Sequence, residues 1–491
     1  MLVRVTRAAN DGNRVSAAAK AAAGRSRTPP KGKTMKSSLR ALTLLTVAVA
    51  LFLVVGAASM ATAGSQAKVT INVAALRPGS SDDAQRQFND NVALFEKQHP
   101  NIDVKPVEYA WNGATFAAQL AAGRLPTVFT VPFTDARTLG EHRQVADITA
   151  GVKKWPYFKK FQQTIIAEAT TSKGRIIGVP YAAYAQALHY NRDLFRQAGL
   201  DPNKPPKTWA QLRKYAKQIS DRTGATGYAQ MGLNDNTAGW IATTVTYTLG
   251  GRMEQGRGTS ATATLNNPYT VQALNLLRQM RWTDKSMGST YDYTWPTINQ
   301  AFAAGKIGMF INGSDIYTFL VQAANLDPKI YGIAPLPLAK NKNAGVLGGG
   351  SIAVVRPDTK GAKLDAALQW IDFFYMEKLI KKPAALRDAN ILVANKQPVG
   401  VPAFPIFNKK QYDVANSWIK PYINVPIKQM APFLKGIFKQ NLYPEPAAST
   451  QSVYHALDPV VQAVFADRNA NIADLLAQAN QIAQKAISEG N

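Results

Sequence analysis

The stretch from Gly174 to Ile219, GRIIGVPYAAYAQALHYNRDLFRQAGLDPNKPPKTWAQLRKYAKQI, carries an extended-chain signal that gives way to a helical one. Ile176–Val179 reads as a strand stopped by Pro180, and Ala187–Tyr190 as another, because short β-rich runs bounded by breakers favour extended chain. Asp193–Ala198 reads as a short helix with Gly199 just past its end, where a left-handed residue closes a helix. Pro202–Pro206 makes a turn. Thr208 and Gln211 then form a capping box for a helix whose apolar face is Trp209, Leu212, Tyr215 and Ile219.

Working outward, the same alternation recurs. Val69–Val73 alternates like a strand, and Ala84, Phe88, Val92 and Phe95 sit at helical spacing behind Asp82 and Asp83. His99-Pro100-Asn101 breaks that helix and Ile102–Val107 follows as a second strand. A right-handed crossover makes the two strands parallel. Phe116–Ala122 reads as a helix ended by Gly123, and Val128–Val131 as a strand. Later helices are marked by Val271, Leu274, Leu277 and Met280, and by Ile472, Leu475 and Ile482. Ile307–Ile311 and Ile352–Val355 are apolar enough to be buried strands. Alternating strands and helices predict an α/β fold.

The chain of 491 residues is long enough for two or three domains, and 46% hydrophobic residues allow a large core. With no cysteine, disulfides, thiolate metal sites, a Cys nucleophile and a lipoprotein anchor are excluded. Lys36 and Arg40 precede an apolar run, Ala41–Ala58, and Ala61-Thr62-Ala63 matches a cleavage site. Residues 35–63 are therefore expected to be a signal peptide for export to the periplasm or the extracellular space, with a retained membrane anchor as the alternative. Residues 1–34 read as an over-called start or a disordered basic leader. Ten Lys or Arg and one Asp among residues 1–67 contribute +9, which leaves +17 of the +26 on the remainder. That charge is spread along the chain, and no zinc-finger, KH or RNP spacing accompanies it, so a solvated basic surface is expected and no nucleic-acid partner.

Enzyme motifs are absent from the sequence. His99, His142, His189 and His455 show no zinc-protease spacing, and no nucleophile elbow, phosphate-binding loop or dinucleotide fingerprint occurs. Paired carboxylates for glycoside hydrolysis are not excluded by spacing. The expectation is a protein with no catalytic residues, metal or cofactor.

Four blocks resemble the sugar-binding branch of the extracellular solute-binding proteins that serve ATP-binding-cassette (ABC) importers. They are QFNDNVALFEKQHPNIDVKPVEY (87–109), the opening stretch to Trp209 (174–209), INQAFAAGKIGMFINGSDI (298–316), and YGIAPLPL with GGGSIAVV (331–338 and 348–355). The sequence departs from the family pattern at Thr127, where Asp is common, and at Ser314, where Trp is common. The resemblance implies two α/β lobes joined by hinge segments, with a ligand cleft between them and closure by hinge motion. It places lobe 1 at 68–180 plus 331–375 and lobe 2 at 181–330 plus 376–491, with crossings near Val179–Ala182 and Lys329–Gly332. It implies a monomer that carries a sugar or oligosaccharide to membrane permease subunits. An anionic or phosphorylated ligand, or a secreted carbohydrate-active enzyme, are the alternatives.

A sugar site needs aromatic platforms and planar polar groups. Tyr181 and Tyr184 in the hinge segment, Trp111 at a strand end, Trp240 after a polar run, and Tyr293 and Trp295 before a proline are the aromatic candidates. Arg77, Asp315 and Gly349 complete the set, the last because a glycine run allows close backbone approach. Each has a plainer alternative. Trp240 could begin a core helix, Arg77 could be a surface arginine, and the glycines could form a simple turn.

Overall fold

In the computed structural model the opening stretch forms the longest strand of the molecule, Gly178–Asn191. The structure describes residues 67–490, Arg257 excepted, and the leader and export signal lie outside them. Nine described strands join in one mixed sheet: β1 (Val69–Ala74), β2 (Ile102–Val107), β3 (Val128–Pro132), β4 (Gly178–Asn191), β5 (Thr226–Ala229), β6 (Ile307–Gly313), β7 (Tyr331–Pro335), β8 (Val346–Val355) and β9 (Leu442–Tyr443). The order across the sheet is β2-β1-β3-β8-β4-β6-β5, with β9 added to β8 and β7 to β4. The helices that bear on function are α1 (Asp82–Gln98), α2 (Phe133–Glu141), α3 (Trp209–Thr223), α4 (Thr237–Leu249), α5 (Gly361–Ile371), α6 (Ile427–Gly436), α7 (Thr450–Ala466) and α8 (Ile472–Glu489).

The βαβ opening is as expected. β1 and β2 are parallel, with Val69 opposite Ile102. Between them Ser81 caps α1, Asp82 and Asp83 complement the positive end of its dipole, and Phe88, Val92 and Phe95 are buried. Thr208 caps α3 by accepting from the Gln211 N–H at 3.1 Å. The reciprocal bond differs from a capping box: the Gln211 amide oxygen accepts from Lys207, one residue early. In α8 the helix is where periodicity puts it but its buried face is not. Leu476, Ala479, Ala483 and Ile487 face inward while Ile482 is 55% exposed. Ile472 is buried as expected, but Ala479 and Ala483 hold the middle of the packed face, where Ile482 misleads.

Pro180 does not stop a strand. β4 runs through it because Pro180 pairs with Ile352 and Ala182 with Ser351, leaving Tyr181 as an extra residue on the β4 side. A bulge tolerates a residue without an N–H and redirects the side chain at the extra position.

β4 and β8 run through the junction between the two halves. Gly178–Ala185 pairs with β8, whereas Gln186–Asn191 pairs with β6 and β7. β8 in turn gives Ser351–Val355 to β3. Each of these two strands therefore has one end in each half. Tyr331–Pro335 pairs with the second half of β4, so it sits in the second half of the molecule. The segment around Phe407 packs on the first half: Phe407 bridges Phe161, and the Asn408 N–H donates to the Lys160 carbonyl at 2.7 Å. From this pairing we propose lobes of 67–182 plus 351–425 and of 186–349 plus 427–490.

Candidate functional site

The site is best built from α4, which carries Trp240 in its first turn. The N-terminus of α4 is held by Asp458 of α7, whose carboxylate accepts from the N–H groups of Asn236 at 2.6 Å and Gly239 at 2.7 Å. Gly239 is required there: a Cβ would stand 2.1 Å from the Tyr454 carbonyl oxygen. This close approach of α4 to α7 sets Trp240 half-buried at the junction, with Tyr184 edge-on to it at 6.3 Å between ring centroids.

Tyr184 is packed from behind by glycines. A Cβ on Gly349 would lie 2.3 Å from the Tyr184 hydroxyl, and one on Gly313 would lie 3.3 Å from the ring. Gly349 is thus bare in order to seat Tyr184. Two residues further along the same face of β4, Gln186 is fully buried, and neither of its amide atoms meets a protein partner.

Carboxylates surround these rings. Glu445 accepts a hydrogen bond from the Tyr454 hydroxyl at 3.0 Å and lies against the Trp240 indole. Burial raises the Glu445 carboxyl to about 7, and the negative charges of Asp135 and Glu168 push it further in that direction. Asp135 opens α2 in the first lobe. It accepts from the Thr134 hydroxyl at 2.7 Å, touches Trp111, and is raised chiefly by burial. Glu168 is raised to about 7 by burial, against the opposing pull of Arg137 at 3.9 Å. Asp315, exposed just past β6, adds its charge to that of Glu445 in raising the Tyr184 hydroxyl well above the ordinary range, where burial is the main cause. Groups from both lobes therefore converge: Trp111 and Asp135 from the first, Trp240, Asp315 and Glu445 from the second, and Tyr184 on the strand that joins them.

A cavity of about 420 Å³ opens beside Glu445. Arg137 and His142 line one side, and Tyr247, Arg252 and Tyr443 the other, so it too lies between the lobes. Arg252 lies 3.4 Å above the Tyr443 ring and donates to the Asn343 carbonyl. A larger cavity of about 830 Å³ lies elsewhere along the hinge, against Tyr181, Ala183, Phe404, Ile423, Val425 and Leu434. Lys378, Asp413 and Lys420 are among its lining residues, but most of the lining is apolar, which suits it poorly to a hydroxylated ligand.

The other candidates are dispersed. Tyr181, on the bulge, packs at a tilt on Tyr375 with ring centroids 4.3 Å apart and contacts Ser351 and Thr130. Arg77 is exposed just beyond β1, close enough to Tyr181 to favour its phenolate. Trp295 donates its indole N–H to the Asn312 amide oxygen at 3.1 Å and packs on Phe319. The Tyr293 backbone accepts from Gly232. Asp135, Glu168, Glu445 and Tyr454 were not read from the sequence. The only local signals were an acidic residue in the first turn after β3 and a lone Glu between two prolines ahead of a helix.

Residues 79–378 match the family model described as bacterial extracellular solute-binding protein. The chain belongs to that family. Among curated relatives, the protein of Pectobacterium atrosepticum named sn-glycerol-3-phosphate-binding periplasmic protein is 26% identical over 289 residues, 55% of this chain and 62% of that protein. The chain thus spans about three fifths of that relative's length. The protein of the same name from Agrobacterium fabrum is 26% identical over 372 residues, covering 71% and 76%. Among solved structures, the cyclic alpha-maltosyl-1,6-maltose binding protein of Arthrobacter globiformis aligns with TM-score 0.65 at 18% identity, over 86% of this chain and 100% of that one. Maltose-bound MalE3 of T. maritima aligns with TM-score 0.63 at 19% identity, over 85% and 99%. These likenesses carry the fold: two α/β lobes of the periplasmic-binding-protein kind. The family is that of bacterial extracellular solute-binding proteins. Among the described residues, no helix is long and apolar enough to cross a membrane.

Proposed function

We propose that this chain is the extracytoplasmic solute-binding component of an ABC importer, which captures a sugar or oligosaccharide by hinge closure and hands it to the membrane permease subunits. The observation that carries the reading is the convergence of Trp111, Trp240 and Tyr184 with Asp135 and Glu445 at the junction of the lobes. Aromatic faces stack on the C–H faces of a pyranose, and carboxylates accept from its hydroxyls. Tyr184 sits where a hinge strand passes between the lobes, so the ligand would contact both lobes and the hinge together. The protein acts as a monomer in this reading, without cofactor, metal or turnover, and is exported through its signal peptide.

Isothermal titration of the purified protein against mono- and oligosaccharides tests this, with small-angle scattering to follow closure. Reversible binding accompanied by a smaller radius of gyration is the expected result. Binding with no compaction, or hydrolysis of the bound sugar, overturns it. The second outcome would move Asp135 and Glu445 into the roles of a glycosidase carboxylate pair.

A further inference from the structure

We propose that the cavity of about 830 Å³ along the hinge is a second binding site, for a monoanionic amphiphile of the fatty-acid kind, with the alkyl chain inside and the carboxylate at Lys420. Its lining shares no residue with the cavity beside Glu445, so it is occupied independently of whatever the solute cleft takes up.

The walls select the body of the ligand. Phe404, Phe407, Ile419, Ile423, Val425 and Leu434 supply apolar surface from three stretches of chain: the segment that bridges β4 at Ala183, the helix Lys409–Ile419 with the turn after it, and α6. A space of this size falls in the range that holds small ligands, and an alkyl chain entering it leaves water together with the walls. Three polar side chains of the lining are engaged by the protein itself. Gln411, buried, accepts from Lys160 Nζ at 2.8 Å and donates to the Leu379 carbonyl at 2.7 Å. Asn416 donates to the Tyr412 carbonyl at 3.0 Å, and the Ser417 hydroxyl to the Val414 carbonyl at 2.7 Å. A hydroxylated ligand would find few partners there, whereas a methylene chain needs none.

The charges select the head group. Of the charged residues in the lining, Asp413 is paired with Lys409, and Lys378 lies 3.7 Å from Asp388. Lys420, exposed at the C-terminal end of the helix Lys409–Ile419, is in none of the described ion pairs. The uncompensated charge of the lining is therefore positive, and an anionic head group complements it. Ile427, also in the lining, is 38% exposed, so the cavity opens to solvent and a head group can stay wet while its chain is buried.

The test is isothermal titration of the purified protein at low salt with octanoate, decanoate and dodecanoate, each below its micelle-forming concentration. Binding should saturate at one site per chain and tighten roughly threefold to fourfold per added methylene. Decanoate should bind at least about fivefold more tightly than decyltrimethylammonium. Lys420→Glu should weaken decanoate about threefold to tenfold and leave decanol within about twofold. Ala415→Trp places an indole in the lining and changes no charge. It should weaken decanoate at least about tenfold, whereas adsorption on the basic surface would survive it. A thermal melt reports whether Ala415→Trp is folded; if it is not, Lys420→Glu decides. Absence of saturable binding, affinity indifferent to chain length, a cation bound as tightly as the anion, or a folded Ala415→Trp that binds decanoate like the wild type each overturn the proposal and leave the solute-binding role standing.

Discussion

Replacing Gly349 by alanine is the sharpest probe of how the cleft is assembled. The added Cβ would stand 2.3 Å from the Tyr184 hydroxyl, 2.5 Å from Cζ and 2.9 Å from Cε1. All three lie inside the closest approach of carbon to a neighbour, so the ring must move. It has little room, because the backbone at Gly313 lies behind it and Trp240 stands edge-on at 6.3 Å. Overpacking of this kind costs about 1–3 kcal/mol. Tyr184→Ala removes the obstruction, so Gly349→Ala should cost less in that background, with a coupling of about 1 kcal/mol or more. Denaturant titration of the wild type, both single variants and the double variant measures the cycle. Sugar titration of Gly349→Ala should also reveal weakened binding, since the displaced ring no longer faces Trp240. A Gly349→Ala protein within about 0.5 kcal/mol of wild type, or strictly additive variants, would refute the account of Tyr184 as a ring seated on bare backbone.

Other outcomes follow from the same geometry. Glu445 and Glu168, both raised to about 7, favour the folded state while protonated; that contribution is complete below the ordinary carboxyl value of 4.5 and is lost as pH rises through 7. Unfolding free energy should therefore fall between pH 5 and pH 8, and Glu445→Gln should shrink that fall by roughly 1–3 kcal/mol; parallel pH profiles for variant and wild type would contradict it. Trp240→Ala should cut sugar affinity roughly tenfold to a hundredfold, with Trp240→Phe recovering much of it, both read by titration. Asp458→Ala should destabilise by about 1–3 kcal/mol in denaturant titration, because two N–H groups at the start of α4 lose their acceptor.

Much of the fold is legible in the sequence because its signals are local. Caps at Ser81 and Thr208, the breaker at His99-Pro100-Asn101 and the apolar period of α1 each act within a turn or two of chain. Misreadings arise where a distant partner decides. Pro180 stays in a strand only because β8 offers a bulge opposite it, and Tyr331–Pro335 joins the second lobe through pairing with β4. For the proposed cleft, residue type pointed to Trp111, Tyr184, Trp240 and Asp315, and also to Trp295, whose indole donates to Asn312. The carboxylates escaped notice for the same reason as the strand partners. Glu445 acquires its character first from burial and then from groups such as Asp135, hundreds of positions away.

The way β4 and β8 pass between the lobes has a mechanical consequence. They run side by side, hydrogen-bonded from Gly178–Val354 to Ala185–Gly348, with Phe404 bridged to Ala183 on the same strand. Such a link is a flexure, like a leaf spring, rather than a pivot. A pleated ribbon bends readily out of its plane but resists stretching and sliding, because either would break the ladder. Relative motion of the lobes is thereby confined to a single arc, and any departure from the relaxed curvature is resisted elastically. A ligand that draws the lobes together works against that resistance, and whatever pries them apart is helped by it. The stiffness of eight residues of sheet would then set how tightly the protein holds its cargo and how readily it gives it up.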